Sequence, residues 1–314
     1  MPARRREPPS PPLAAIVGAT ASGKSELAMA IAAQLSVEIV VADSRQVYRG
    51  LDIGTAKPSP ADRGAVPHHL LDLADPDEAF TLADWLALAR ASVPAIWARG
   101  NLPLLVGGTG LYLTALVDGY QLSPQAPPAE LRRELTAEVE QAGLASVAAR
   151  LTALDPNAAA RTDLRNPRRV LRAVERMLLS GASAAKPPSQ PWPGNVALLG
   201  VERPRSALAA RIRMRAEEMF AGGLLEEVER LRAAGYGPEL APMSGHGYRE
   251  AFRVLDGEWS VDRAVDETAR RSRQYAKRQL TWFRRDRRIV WLPVGERPAA
   301  ALAERAVDVI RRLT

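Results

Sequence analysis

The 314-residue chain is 25% charged and 46% hydrophobic, the balance of a folded globular protein, which excludes wholesale disorder and a collagen-like or coiled-coil fibre. No run approaches the ~18 uncharged apolar residues of a membrane span, and the absence of cysteine rules out disulfides, a thiol nucleophile and a cysteine-ligated zinc site. The net charge of +7 is carried almost wholly by arginine and favours a polyanionic partner, because arginine forks onto phosphate; compositional bias accounts for the same skew.

Met1–Pro12 holds five prolines and Arg4-Arg5-Arg6 without the apolar core of a signal peptide, and reads as a disordered arm. From Leu13 onward short apolar runs alternate with helical-period stretches. Leu13–Val17, Glu38–Ala42 and Leu102–Val106 predict buried parallel strands, and Glu26–Leu35 and Leu82–Arg99 predict covering helices. After Gly119 the pattern changes. Ser123–Pro128 breaks the chain, Ala129–Leu154 and Pro167–Leu179 read as amphipathic helices with no strand between them, and Gly181–Gly194 closes the segment. Val196–Val201 resumes the strands, Arg205–Ala221, Leu224–Ala233, Tyr248–Leu255 and Val261–Arg284 are helical, and Ile289–Pro293 is a last strand. The expected class is α/β, a P-loop NTPase-like parallel sheet flanked by helices. Residues 13–122 and 190–314 would form a discontinuous core, residues 123–189 an all-helical insertion domain, and residues 1–12 an arm.

Gly18-Ala19-Thr20-Ala21-Ser22-Gly23-Lys24-Ser25 fits G-x-x-x-x-G-K-[ST] between a predicted strand and a predicted helix, the context a phosphate-cradling loop requires. Its amides and the helix N-terminus face an anion, Lys24 adds charge, and the Ser25 hydroxyl suits Mg²⁺. Asp43 follows the second strand, at the carboxyl edge of the sheet. It suits a general base, a metal ligand through water, or the cap of the following turn. A kinase or GTPase would place a second metal aspartate after the next strand. Leu102–Val106 ends instead in Gly107-Gly108-Thr109-Gly110, which allows close ligand approach and offers the Thr109 hydroxyl. That moves the reading from phosphoryl transfer towards a loop that grips a pyrophosphate leaving group.

Arg165, Arg168, Arg169, Arg172 and Arg176 recur on one helix face, and a second basic stretch, Arg270–Arg288, interleaves Tyr275, Trp282 and Phe283. Such stripes suit a nucleic-acid backbone with a stacked base, or a solvated face. Arg211 and Arg215, one turn apart, reach towards a pyrophosphate or pair with Glu217 and Glu218. His68 and His69 are adjacent on a strand-like segment, so their side chains diverge and do not chelate one metal.

The ordered set Gly18–Ser25, Asp43–Tyr48, Leu51–Pro58, His68–Asp72, Phe80–Trp85, Gly107–Tyr112, Asp155-Pro156, Arg169–Glu175, Gly222–Val228, Gly247–Glu250 and Gln274–Phe283 resembles the tRNA dimethylallyltransferases, or tRNA isopentenyltransferases, from Leu13 to Val294. The resemblance implies transfer of a dimethylallyl group from dimethylallyl pyrophosphate to N6 of the adenosine 3′ of the anticodon, position 37, in tRNAs reading codons that begin with U. It implies that Gly18, Ala19, Thr20, Ala21, Ser22, Gly23, Lys24 and Ser25, with Arg211, hold the pyrophosphate and Mg²⁺. Asp43, Thr109 and Arg215 would be catalytic, with Asp43 taking the amine proton. Asp43, Ser44, Arg45, Gln46, Thr109, Arg132, Arg168, Arg169, Val170, Leu171 and Arg172 would contact the anticodon stem-loop. It further implies a cytoplasmic monomer with no obligate protein partner and no membrane association. The chain departs from the family at His246, where an apolar residue usually precedes Gly-Tyr, and lacks the cysteines of the zinc finger that some relatives carry. The rivals are an adenylate isopentenyltransferase acting on free AMP, ADP or ATP, a small-molecule kinase, and a non-catalytic RNA-binding P-loop protein.

Overall fold

The computed structural model describes residues 10–122, 128–180 and 189–313. The chain divides into two compact units, Met1–Gly119 with Gln190–Thr314, and Tyr120–Ser189. The first unit begins with β1 (Leu13–Gly18), α1 (Lys24–Ala32), β2 (Val37–Val41), α2 (Pro60–Ala65), β3 (His68–His69), α3 (Leu82–Ala98), β4 (Leu102–Val106) and α4 (Gly110–Val117). Thr81 and Asp84 form a capping box that starts α3. Residues 1–9 of the expected arm lie outside the described residues, whereas Ser10–Pro12 are packed: Trp192 Nε1 donates to the Pro11 carbonyl at 2.8 Å.

The second unit contains α5 (Ala129–Ala142), α6 (Leu144–Leu154), α7 (Pro156–Ala160) and α8 (Pro167–Ser180). Ala129–Leu154 is therefore two helices. Gly143 divides them at φ +81°, a conformation that costs residues bearing a Cβ but not glycine. Asp155 caps α7 by accepting from the N–H groups of Asn157 and Ala158 at 2.9 and 3.0 Å. Leu135, Val147, Leu151, Val170 and Val174 form the unit's own core.

The first unit resumes with β5 (Val196–Glu202), α9 (Arg205–Ala221), α10 (Leu224–Ala233), α11 (Tyr248–Leu255), α12 (Val261–Phe283), β6 (Val290–Pro293) and α13 (Ala303–Leu313). The six strands are all parallel, in the order β3-β2-β4-β1-β5-β6. Every residue of β1 and β2 is buried, so β1 reads as a continuous apolar run instead of alternating, and the one charged residue of β2, Glu38, is buried with Arg99, Asn101 and His69 as partners. Because β2, β4 and β1 are neighbours, the segments after their carboxyl ends converge at one edge of the sheet, where α/β proteins bind ligands. Trp85 of α3, fully buried against Tyr112, donates from Nε1 to the Val41 carbonyl at 3.0 Å and fixes the end of β2 just before Asp43.

Candidate active site

The loop from Gly18 to Gly23 connects β1 to α1, and the segments after β2 and β4 close around it. Between them lies a cavity of about 120 Å³. Its apolar lining comes from Ala28, Ile39, Val41 and Val106, and its charged lining from Lys24, Asp43 and Arg215, with the hydroxyls of Thr20 and Ser25. A site with hydrocarbon on one part of its wall and cations on another suits an amphipathic anion.

The charges act on one another. Burial first, then the nearby Arg215 cation, lowers Lys24 to about 8, and Asp43 opposes the shift. Burial likewise lowers Arg215, against Asp43 and Glu218. Arg215 donates to the Thr20 hydroxyl at 3.1 Å and to the Thr55 carbonyl at 3.3 Å. Since the Thr20 oxygen accepts from Arg215, its own hydrogen is left to donate. In this structure Lys24 Nζ donates to the Ala19 carbonyl at 2.7 Å.

Asp43 Oδ1 accepts from the Arg45 N–H at 2.9 Å, the turn-capping geometry. Oδ2 has no partner among the described residues, so the cap leaves one carboxylate oxygen for chemistry. Thr109 precedes α4 and does not itself line the cavity. Its Oγ1 accepts from the Ser44 N–H at 3.2 Å, and it lies beside Tyr275, which does line the cavity. Burial, then Asp43, raises the Tyr275 phenol. The Tyr275 ring meets His246 edge-on, 5.3 Å between centroids at 71°, and Arg278 lies 5.5 Å from its centre. His246, lowered to about 4 by burial and by Arg271 and other arginines, is neutral at physiological pH where it packs on Tyr275.

Several expected site residues lie elsewhere. Arg211 does not line the cavity: its Nε donates to the Ala21 carbonyl at 3.1 Å and its guanidinium stands 3.7 Å from Glu26, so it braces the loop from outside. Ala21 itself is held at φ +60°. Gly18, Ala19, Ala21, Ser22 and Gly23 shape the loop without lining the cavity, and Ser22 is buried. The Arg45 side chain turns to Ser244 Oγ at 2.8 Å and the Ala241 carbonyl, while Gln46 lines the cavity and donates to the carbonyls of Thr55 and Ala56, both at 3.1 Å.

In the helical unit, Arg168, Arg169 and Arg172 of α8 are exposed, and Arg168 has no partner among the described residues. Val170 is fully buried in that unit's core and Leu171 packs against it, which removes the Val170 side chain from any RNA contact. Arg132 makes a two-pronged ion pair with the fully buried Glu175, and Arg172 stands 3.5 Å from the same carboxylate.

Four residues that line the cavity, His68, Gln279, Thr55 and Ala56, lie within the stretches that carry the family resemblance but were given no role at the site by the sequence. The His68 ring lines the cavity with Nδ1 on the Val66 carbonyl at 2.7 Å; that acceptor makes Nδ1 the donor. Gln279 joins two of the converging segments. The Thr55–Ala56 loop supplies carbonyls to Gln46 and Arg215, and is itself held by Glu227. A glutamine on the line of Val265, Ala269, Ala276 and Phe283, all buried, is a signal present in the sequence.

A family model described as IPP transferase matches residues 46–286, and one described as Isopentenyl transferase matches residues 11–68. The chain is 46% identical to a protein of Roseiflexus sp. (strain RS-1) named tRNA dimethylallyltransferase, over 96% of this chain and 98% of the relative. It is 44% identical to one of the same name from Moorella thermoacetica, over 95% and 97%. The crystal structure of the tRNA isopentenylpyrophosphate transferase of Bacillus halodurans superimposes with a TM-score of 0.69 at 36% identity, covering 96% of this chain and 97% of that one. With its phosphate loop, parallel sheet and near-complete coverage of these relatives, the chain belongs to the IPP transferase family.

Proposed function

We propose that the protein transfers a dimethylallyl group from dimethylallyl pyrophosphate to N6 of adenosine 37 in tRNAs reading codons that begin with U, releasing pyrophosphate. The observation that carries this reading is one cavity lined together by Thr20, Lys24, Ser25, Arg215 and Asp43 beside apolar walls, with one Asp43 oxygen left without a partner among the described residues. An aromatic amine is a weak nucleophile, so the reaction depends on positioning and on stabilising the leaving group. The N6 lone pair forms a bond to C1 of the donor, the C1–O bond breaks, and its electron pair departs on the pyrophosphate, whose charge Lys24 and Arg215 neutralise. The N6 proton passes to Asp43 Oδ2.

Ser25 fits a Mg²⁺ ion: its hydroxyl lines the cavity next to Lys24 and has no partner among the described residues. Among the described residues no group of three His, Cys, Asp or Glu that could hold a metal occurs, and Ser25 is the residue that would hold the ion at the donor. The ion would supply further charge neutralisation of the leaving group.

Arg168, Arg169 and Arg172 are assigned to the anticodon stem-loop phosphates, and the target base leaves its stack to enter the cavity at a cost of a few kcal/mol that such contacts offset. Among the described residues no helix is long and apolar enough to cross a membrane; we place the reaction in the cytoplasm, carried out by a monomer.

The test is incubation with Mg²⁺, dimethylallyl pyrophosphate and either unmodified tRNA or AMP, followed by digestion and mass measurement of the adenosine. Prenylated adenosine from tRNA alone is expected. Product from AMP alone moves the protein to free-nucleotide prenylation, and no product with either acceptor overturns the reading.

A further inference from the structure

Gln279 reaches the phosphate loop from α12, at the opposite end of the sequence. Its Oε1 accepts from the Thr20 N–H at 2.8 Å, and its Nε2 donates to the Gly108 carbonyl at 2.8 Å. Both partners fix the orientation of the amide, since the reversed group would set donor against donor and acceptor against acceptor. The side chain is almost fully buried. Gly108 leaves the space: a Cβ there would lie 2.2 Å from Nε2. The amide is thus a crossbeam between the loop after β1 and the turn after β4.

This arrangement divides the work of Thr20. Its N–H is taken by Gln279 and its hydroxyl oxygen accepts from Arg215, which leaves the hydroxyl hydrogen as its directed donor. In a phosphate-binding loop every amide is a candidate anion ligand, and here one has been reassigned to hold the loop.

We propose that Gln279 is a positioning residue of the donor site: it fixes the Thr20 peptide and the Gly107–Gly108 turn so that the Thr20 hydroxyl, held by Arg215, faces the pyrophosphate moiety. The inference rests on the phosphate loop being the pyrophosphate site. Without the crossbeam, the Thr20 N–H and the Gly108 carbonyl lose their partners and Thr20 is free to leave Arg215. Two such bonds correspond to about a tenfold effect on donor binding.

The experiment measures binding of dimethylallyl pyrophosphate without tRNA by calorimetry, and the KM of each substrate, for the wild type, Gln279→Met, Gln279→Glu and Lys24→Ala. Methionine keeps the approximate volume and removes both hydrogen bonds. Glutamate keeps an acceptor for Thr20 and sets a second oxygen against the Gly108 carbonyl. The expected result is donor binding weakened about tenfold in Gln279→Met and at least as much in Gln279→Glu, with a matching rise in donor KM and tRNA affinity within twofold of wild type. Wild-type donor binding in Gln279→Met alongside its loss in Lys24→Ala would reduce Gln279 to packing. Equal weakening of both substrates would mark a general loss of structure and also overturn the positioning role. Undiminished donor binding in Lys24→Ala would remove the pyrophosphate assignment of the loop, and this inference with it.

Discussion

Glu227 is the residue whose removal should reveal how the cavity wall is held. This carboxylate of α10, 3% exposed, accepts from the N–H groups of Asp52, Ile53 and Gly54 at 3.2, 2.8 and 3.5 Å, and from the Tyr248 hydroxyl at 2.6 Å. Two of the four bonds are short and charge-assisted, about 1.5–3 kcal/mol each, and the two longer ones add little. Glu227→Ala should therefore cost about 3–6 kcal/mol, and Tyr248→Phe about 2 kcal/mol, because it leaves a buried carboxylate oxygen short of a donor. The two residues share one bond, so the double variant should fall short of the sum by about 1.5–2 kcal/mol in a urea-unfolding double-mutant cycle. The same loop presents the Thr55 carbonyl to Arg215, so kcat/KM for the donor should fall further than tRNA affinity. Additive losses, or a cost below about 1 kcal/mol for Glu227→Ala, would refute the reasoning.

Asp43→Asn should lower turnover about 10²- to 10⁴-fold, the range for removal of a general base, while tRNA still binds in a filter assay; unchanged turnover would remove Asp43 as the base. Arg168→Ala and Arg169→Ala should each weaken tRNA binding and reduce the slope of log affinity against log salt by about 1, and an unaltered slope would make this helix face merely solvated. The Arg99 hydrogen bonds, with Asn101 and His69 assisting, hold buried Glu38 down from 4.5 to about 2. A depressed carboxylate stabilises the fold above its ordinary range and loses that contribution as pH falls from about 4.5 towards 2, so Glu38→Gln should flatten the acid limb of a stability-against-pH curve; parallel limbs would contradict this.

Where periodicity and punctuation are local, the chain is readable. Leu102–Val106, Arg205–Ala221, Leu224–Ala233 and Tyr248–Leu255 have the same bounds in the sequence reading and in the structure. Gly110–Val117 is apolar on nearly every side, which hides its helical period. β3 has only two residues and exists through its pairing with Ile39 and Val40. The last helix, Ala303–Leu313, does carry a pattern, buried at Ala303, Ala306, Val307 and Ile310, but three of its four core side chains are small enough to blur it. The same helical period also separates α8: Val170, Ala173 and Val174 share its buried face, whereas Arg168, Arg169 and Arg172 do not, so a contiguous block cannot contact RNA along its whole length.

The site divides along the same line. The phosphate loop and Asp43 are local signals, each readable from a strand end and its next few residues. Arg211 and Arg215 are a partial case, because four-residue spacing sets both on one side of α9 without saying how far each reaches; only Arg215 meets the Thr20 hydroxyl, and Arg211 stops at the Ala21 carbonyl behind the loop. Gln279 is the opposite extreme, bonded to residues 259 and 171 positions away, a relation no window of sequence contains. Of the three readings left open at Asp43, the cap and the general base are not exclusive. A carboxylate has about four acceptor positions, and one oxygen on the Arg45 N–H fixes the turn while the other has no partner among the described residues in a side chain that lines the cavity. The capping bond fixes the carboxylate proposed as the base, and a residue that reads as a helix or turn cap at a sheet's carboxyl edge should be tested for chemistry, not dismissed because it has a structural bond.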